Sequence, residues 1–82
     1  MKILVVEDEV KLARSLEKGL SAEGYIVDVV HDSGGALSLV SGGSYDLVLL
    51  DWMIPGPHDG PALIKVWREA HEQAPILLLT AR

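Results

Sequence analysis

Acidic side chains follow two apolar runs of this sequence, and carboxylates in that position can bind a metal ion or attack phosphorus. Glu7 and Asp8 come directly after residues 3–6, and Asp51 comes directly after residues 47–50. A hydroxyl side chain, Thr80, follows a further apolar run at residues 76–79. In an open parallel sheet, ligands bind beyond the carboxyl ends of the strands. If the first and third runs are neighbouring strands, the three carboxylates converge on one hollow.

Three carboxylates at close range repel one another, and a hard divalent cation is the natural counter-charge. Mg²⁺ takes oxygen ligands, keeps several waters and commonly pairs with phosphate. A carboxylate beside it can act as a nucleophile toward phosphorus, giving an aspartyl phosphate. Plainer explanations exist for each residue alone. Asp51 could start a loop or cap a helix, Glu7 or Asp8 could complement the positive end of a helix, and Thr80 could be an ordinary strand residue.

The elements that position these residues alternate between strand and helix patterns. Apolar, β-branched runs predict strands at residues 3–6, 25–30, 46–50 and 76–80. Between them lie three predicted helices, at residues 9–23, residues 34–41 and a segment capped by Asp59. The first helix should bury Leu12, Leu16 and Leu20 and end at Gly24, and the third should bury Leu63, Ile64, Trp67 and Ala70. The order β-α-β-α-β-α-β predicts an α/β fold with a parallel sheet.

Composition narrows the function classes. The chain has 82 residues, no cysteine and a formal charge of −5, so it is one domain at most, without disulfide or thiol chemistry. The lack of cysteine fits a cytoplasmic protein. No run is long and apolar enough to span a membrane. Seven basic residues are scattered among twelve acidic ones, so no nucleic-acid footprint is expected.

Three motifs resemble the receiver domain of two-component response regulators. They are "ILVVEDE", "YDLVLLDWMIPG" and "ILLLTAR", in the order and at about the spacing of that family. The resemblance implies a flavodoxin-like receiver fold with strand order 2-1-3-4 over residues 1–82. The wording "DWMIPG" and "LLLTAR" is most similar to regulators that carry a winged-helix DNA-binding domain.

The resemblance also implies a role for each matched residue. Asp51 matches the phosphoacceptor, which takes a phosphoryl group from a histidine kinase. Asp8 matches a direct Mg²⁺ ligand, and Glu7 one that acts through water. Met53 matches the position whose backbone carbonyl binds the metal. Thr80 matches the hydroxyl that moves toward the phosphoryl group during switching.

Two departures from the family pattern carry expectations of their own. The loop "PGPHDG" holds one residue more than usual, at Pro57 and His58, which should alter the loop above the site. The chain ends at Arg82, where the family continues with a helix, a strand and a helix, including a strand-end lysine. We therefore expect the N-terminal two-thirds of a receiver domain. Its uncovered fourth strand should pair with another chain, as a homo-oligomer or by strand exchange.

These patterns favour a phosphoacceptor signalling module, not an enzyme, that switches conformation to control a DNA-binding output. The alternative is a receiver fragment that acts only as a structural or assembly unit. An aspartate-nucleophile phosphatase is disfavoured, because such enzymes have a second acid two residues after the nucleophile. Met53 stands at that position.

Overall fold

The computed structural model describes residues 1–42, 45–70 and 73–79, except for the side chains of residues 40–42. Strands and helices alternate along this part of the chain. The strands are β1 (Lys2–Val6), β2 (Ile26–Val30), β3 (Leu47–Asp51) and β4 (Ile76–Leu79). The helices are α1 (Val10–Ala22), α2 (Ser33–Gly42) and α3 (Gly60–Glu69).

The four strands form one parallel sheet in the order β2-β1-β3-β4. This confirms the predicted α/β class and strand order. β1 lies between β2 and β3, so the first and third strands of the sequence are direct neighbours. Each step from one strand to the next in the chain passes through a helix, as parallel connections require.

Alternate residues of the strands supply two hydrophobic clusters, one on each face of the sheet. On the first face, Ile3, Val5 and Leu49 pack with Leu16 and Leu20 of α1. On the second face, α2 and α3 cover a larger cluster that includes Leu4, Val6, Val48, Leu50, Ala36, Leu63 and Trp67. A strand covered on both faces has no polar side, which explains why β1 and β3 are continuous apolar runs.

Helix α1 buries a narrower stripe than its sequence pattern suggested. Ala13 is buried and Leu16 and Leu20 are half-buried, but Leu12 is exposed, so its predicted burial was wrong. The buried stripe centres on Ala13, Leu16 and Leu20, and Leu12 lies roughly 70° around the helix from that centre. The predicted end is confirmed, because Gly24 follows the helix with a φ of 93°.

Helix α3 begins as its sequence predicts. The Asp59 carboxylate accepts a hydrogen bond from the Ala62 N–H at 2.9 Å, and Pro61 lies in the first turn. Leu63 and Trp67 are buried and Ile64 is half-buried. Ala70 was expected on the same face but is exposed, because the helix ends at Glu69 and Ala70 is already its C-terminal cap.

Strand β4 lies at one edge of the described sheet and is less covered than β1 and β3. Leu77 is 55% exposed, and its neighbours in the strand are half-buried. Exposed apolar edges favour pairing with another chain. Self-association through this strand stays a prediction. Among the described helices, none has the length and apolar character needed to cross a membrane.

A polar cluster ties the sheet together at the end opposite the strand-end acids. The Tyr45 hydroxyl donates a 2.7 Å hydrogen bond to the Asp28 carboxylate on β2. Lys2 of β1 lies beside both, with its Nζ 3.9 Å from Asp28 and 5.0 Å from the centre of the Tyr45 ring. The main-chain N–H of Lys2 donates to Asp46 at 2.8 Å. Burial and the Asp28 carboxylate raise the pKa of Tyr45 to about 12.

We expect Tyr45→Phe to lower the free energy of unfolding at neutral pH by about 1 kcal/mol, because Asp28 loses a buried donor. The wild type should lose stability as pH rises from about 10 to about 12, since the unfolded tyrosine ionises before the folded one. Urea unfolding at a series of pH values measures both effects. Tyr25→Phe, at an exposed tyrosine, is the matched control, and equal behaviour of the two variants would contradict the role of this hydrogen bond.

Candidate functional site

The pairing of β1 with β3 brings Glu7 next to Asp51. Val5 is opposite Leu49 and Val6 is opposite Leu50 in the parallel register. The next residue after each of these pairs is an acid, Glu7 on one strand and Asp51 on the other. By the alternation of side chains along a strand, both acids lie on the same face of the sheet as Val5 and Leu49, which is the face that α1 covers. Asp51 is the last residue of β3 and pairs with Leu79 on its other side.

Glu7, Asp8 and Asp51 form one acidic cluster. Each offers a carboxylate oxygen, and these oxygens all lie within 4.8 Å of one another. Glu7 is 2% exposed and Asp51 is 3% exposed, whereas Asp8 is open to solvent. The predicted convergence of the strand-end acids is therefore present in the fold, with two buried carboxylates and one accessible one.

Backbone groups fix the position of Glu7. Its N–H donates to the Val30 carbonyl at 3.0 Å, which extends the β1–β2 pairing by one residue. Its Oε2 accepts a 2.9 Å hydrogen bond from the N–H of Glu9 at the start of α1. Its carbonyl oxygen lies 2.9 Å from Nδ1 of His31. The carboxylate thus has little freedom to turn away from its acidic neighbours.

The environment of Glu7 favours its protonated form. Burial is the main cause that raises the pKa of this carboxyl, and a hydrogen bond with Asp8 and the charges of Asp51 and Asp8 act in the same direction. The hydrogen bond from Glu9 opposes the shift but does not cancel it. A cation among the three carboxylates would remove this repulsion, so the cluster is electrostatically suited to one.

The segment after Asp51 is tied to two neighbouring elements. The Trp52 N–H donates to the Leu79 carbonyl at 3.2 Å, and the Gly60 N–H donates to the Trp52 carbonyl at 3.0 Å. The Met53 N–H lies 3.4 Å from Oδ1 of Asp51, a long hydrogen bond. The side chains of Trp52 and Met53 are exposed, which leaves the Met53 backbone as the part of that residue that faces the site.

Gly60 allows α3 to start directly against the end of β3. A Cβ atom at this position would lie 2.9 Å from the Trp52 carbonyl oxygen and 3.0 Å from the Asp51 carbonyl oxygen. Real Cβ atoms do not come so close to backbone oxygens, so glycine is required here. The start of α3 is consequently fixed to the strand tip that carries Asp51.

The sequence pattern did not reveal every residue that shapes the site. Ser33 is completely buried beside the loop that follows Asp51 and hydrogen-bonds to it. His31 approaches Glu7 although the two are 24 positions apart. Neither has a motif that could have identified it, because both act through loop conformation. Thr80, the predicted switch hydroxyl, lies outside the described residues.

The donor set fits magnesium. Carboxylates from two strand ends are hard oxygen ligands, and the accessible side of Asp8 leaves room for the waters that Mg²⁺ retains. Glu7, Asp8 and Asp51 are the residues that would hold the ion. Within the described part of the chain, no other group of acidic, histidine or cysteine side chains has this geometry.

Comparison with known proteins agrees with the geometry of the site. The family model "Response regulator receiver domain" matches residues 3–82. The chain belongs to the response regulator receiver family. Receiver domains bind Mg²⁺ at an acidic pocket, and this chain has an acidic cluster at the carboxyl ends of β1 and β3.

Named relatives of this receiver chain are transcriptional regulators. Transcriptional activator protein IrlR of Burkholderia pseudomallei is 46% identical over 82 residues, which is 100% of this chain and 35% of that protein. Transcriptional regulatory protein PcoR of Escherichia coli is 43% identical over 81 residues, 99% of this chain and 35% of that protein. The receiver chain thus spans about a third of the length of these relatives.

Solved receiver structures share the fold closely. A Francisella response regulator receiver domain superposes with a TM-score of 0.93 at 32% identity, covering 98% of this chain and 65% of that one. Response regulator TrrA of Thermotoga maritima, in complex with Mg²⁺-BeF, gives a TM-score of 0.89 at 38% identity, covering 99% and 70%.

We expect Glu7→Gln to raise the melting temperature in metal-free buffer at neutral pH. Glutamine keeps an acceptor for the Glu9 N–H but removes a buried charge from between two acids. The pKa of Glu7 is raised in the folded state, so protonated Glu7 stabilises the fold. This stabilisation is complete at acid pH and is lost as pH rises toward neutrality. The advantage of the variant should therefore shrink as pH falls.

Thermal unfolding followed by circular dichroism, with and without Mg²⁺, measures this effect. Mg²⁺ should stabilise the wild type more than Glu7→Gln. The matched control is Glu9→Gln, which changes an exposed acid two residues away and should leave both responses unaltered. A lower melting temperature for Glu7→Gln at neutral pH without metal would contradict the proposed repulsion.

Proposed function

We propose that this receiver domain accepts a phosphoryl group on Asp51 from a histidine kinase and uses it as a signal. One observation carries the proposal: a nearly inaccessible carboxylate at the end of β3 lies within 4.8 Å of two further carboxylates. Such an arrangement costs free energy without a cation, and its donors suit Mg²⁺ and a phosphoryl group together. Receiver domains as a family work with histidine kinases, which supports the choice of donor.

In the proposed reaction, an Asp51 carboxylate oxygen forms a bond to phosphorus as the nitrogen–phosphorus bond of a phosphohistidine breaks. The phosphohistidine carries a proton on its other ring nitrogen, so its side chain leaves as neutral imidazole, and the product is an aspartyl phosphate. Bound Mg²⁺ would supply neutralisation of charge on the transferring group. Asp8 and Asp51 would bind the ion directly, with the Met53 carbonyl as a further ligand and Glu7 acting through water.

The downstream role is proposed from the relatives. Two of them are named as transcriptional regulators, so we propose that this chain is the N-terminal two-thirds of a receiver that controls a DNA-binding output in the cytoplasm. Thr80 would report phosphorylation by moving its hydroxyl toward the phosphoryl group. The segment itself, with a formal charge of −5, is not the part that would contact DNA.

A second role is favoured by one observation, the 55% exposure of Leu77 on edge strand β4. An apolar edge of this kind suits assembly with another chain, as a homo-oligomer or by strand exchange. A chain that only assembles would leave Asp51 unmodified. An enzymatic phosphatase role lacks the second acid, since Met53 occupies its place with an exposed side chain.

The test is modification by a small phosphoryl donor. We expect acetyl phosphate with Mg²⁺ to add one phosphoryl group to the wild type, detected by intact-protein mass spectrometry, and chelation of Mg²⁺ to prevent it. Asp51→Asn should abolish the modification. Asp8→Asn should slow it at least tenfold, because a direct metal ligand is lost. Asp46→Asn is the matched control, since Asp46 lies beside the other end of β3 and is exposed.

Metal binding can be followed separately through Trp52. Trp52 is 46% exposed and directly follows Asp51 in the chain, so its fluorescence should change when Mg²⁺ binds, and Trp52→Phe should remove the change. A wild type that is never modified, but sediments as an oligomer, would support the assembly role instead. Modification that persists in Asp51→Asn would contradict the assignment of the acceptor.

A further inference from the structure

Ser33, at the first position of α2, connects that helix to the loop that follows Asp51. Its side chain is fully inaccessible to solvent, which is unusual for a serine at a helix start. The Ser33 N–H donates to the Pro55 carbonyl at 2.9 Å, and its Oγ accepts from the His58 N–H at 3.1 Å. The backbone N–H and the hydroxyl of Ser33 therefore both hydrogen-bond to a segment more than twenty positions away.

The hydroxyl of Ser33 is available for this role because another residue caps the helix. Asp32 accepts a hydrogen bond from the Gly35 N–H at 2.7 Å, the usual function of a side-chain cap. Ser33 is thus not required to satisfy the helix end. A serine cap alone would not explain why its hydroxyl is turned toward the loop and buried there.

Close packing at Gly56 shows that the loop is built around Ser33. Gly56 has a φ of 121°, a conformation that other residues rarely adopt. A Cβ atom at this position would collide with the Ser33 hydroxyl and lie 3.1 Å from its backbone nitrogen. The loop therefore lies directly against Ser33, and the two hydrogen bonds hold it on either side of Gly56.

The same loop carries the backbone of Met53. At one end, Trp52 is held by Leu79 and Gly60, and at the other, Pro55 is held by Ser33. Ile54 between them is 3% exposed and belongs to the core. Met53 therefore lies between two residues, Trp52 and Pro55, whose backbones are held by hydrogen bonds, and its N–H is directed at Asp51. The one residue that this loop has beyond the usual family pattern, at Pro57 and His58, lies where the loop hydrogen-bonds to the Ser33 hydroxyl.

We propose that Ser33 is a positioning residue for the acidic site: by holding Pro55 and His58 it keeps the Met53 backbone beside Asp51. The inference rests on the proposed function, since it concerns metal binding at that site. Ser33 does not touch the carboxylates and acts only through the loop. Removal of a group that does not touch the metal but orients its ligands commonly weakens metal binding by about tenfold or more.

The test compares Ser33→Ala with Ser38→Ala in the full chain. Ser38 lies on the same helix, is exposed, and bonds to the Gly34 carbonyl at 3.3 Å. Mg²⁺ titration by Trp52 fluorescence, well below each melting temperature, should give a dissociation constant about tenfold higher for Ser33→Ala and unchanged for Ser38→Ala. Saturating Mg²⁺ should restore the rate of modification by acetyl phosphate, because the acceptor itself is intact.

Two further measurements separate positioning from simple loss of stability. Amide hydrogen exchange at His58 should be faster in Ser33→Ala than in the wild type, independent of any metal. Gly56→Ala, which disturbs the same contact from the loop side with Ser33 intact, should also weaken Mg²⁺ binding and serves if Ser33→Ala does not fold.

The outcomes distinguish this inference from the proposed function. A wild type that binds Mg²⁺, with Ser33→Ala equal to Ser38→Ala, would overturn the role of Ser33 alone. A lower melting temperature with an unchanged dissociation constant would have the same meaning. A wild type that shows no Mg²⁺ response would overturn the proposed function and, with it, the role of Ser33 in metal binding.

Discussion

Two carboxylates, those of Glu7 and Asp51, are held side by side and away from water because β1 and β3 pair in parallel. Parallel strands end at the same edge of a sheet, so residues that follow equivalent register positions become neighbours. The backbone bonds of Glu7 to Val30 and Glu9 prevent it from moving away. The repulsion that results is the electrostatic condition that makes the site receptive to a cation.

The rest of the structure keeps the carboxylates of Glu7 and Asp51 close together. Hydrophobic clusters on both faces of the sheet fix the strand tips from either side, and the cluster of Tyr45, Asp28 and Lys2 joins β1, β2 and the entry to β3 at the far end. The positive charge of Lys2 is directed to that end.

The sequence predicted the features that depend on local chemistry and strand alternation. The α/β order, the Asp59 cap, the stop at Gly24 and the meeting of Glu7, Asp8 and Asp51 all follow from short-range patterns and from the geometry of parallel sheets. The burial of Leu12 and Ala70 was not predicted correctly, because periodicity fixes neither the centre of a buried stripe nor the last residue of a helix. The contacts of Ser33 and His31 were missed, because they join residues 25 and 24 positions apart through loop conformation.

Gly60 gives the acidic edge a mechanical property. With no side chain at this position, the first turn of α3 lies directly on the carbonyl groups of Asp51 and Trp52, without a compressible layer of side-chain atoms between helix and strand. The end of β3 and the beginning of α3 are therefore in direct backbone contact, so the strand tip that carries Asp51 cannot move toward the helix without displacing it.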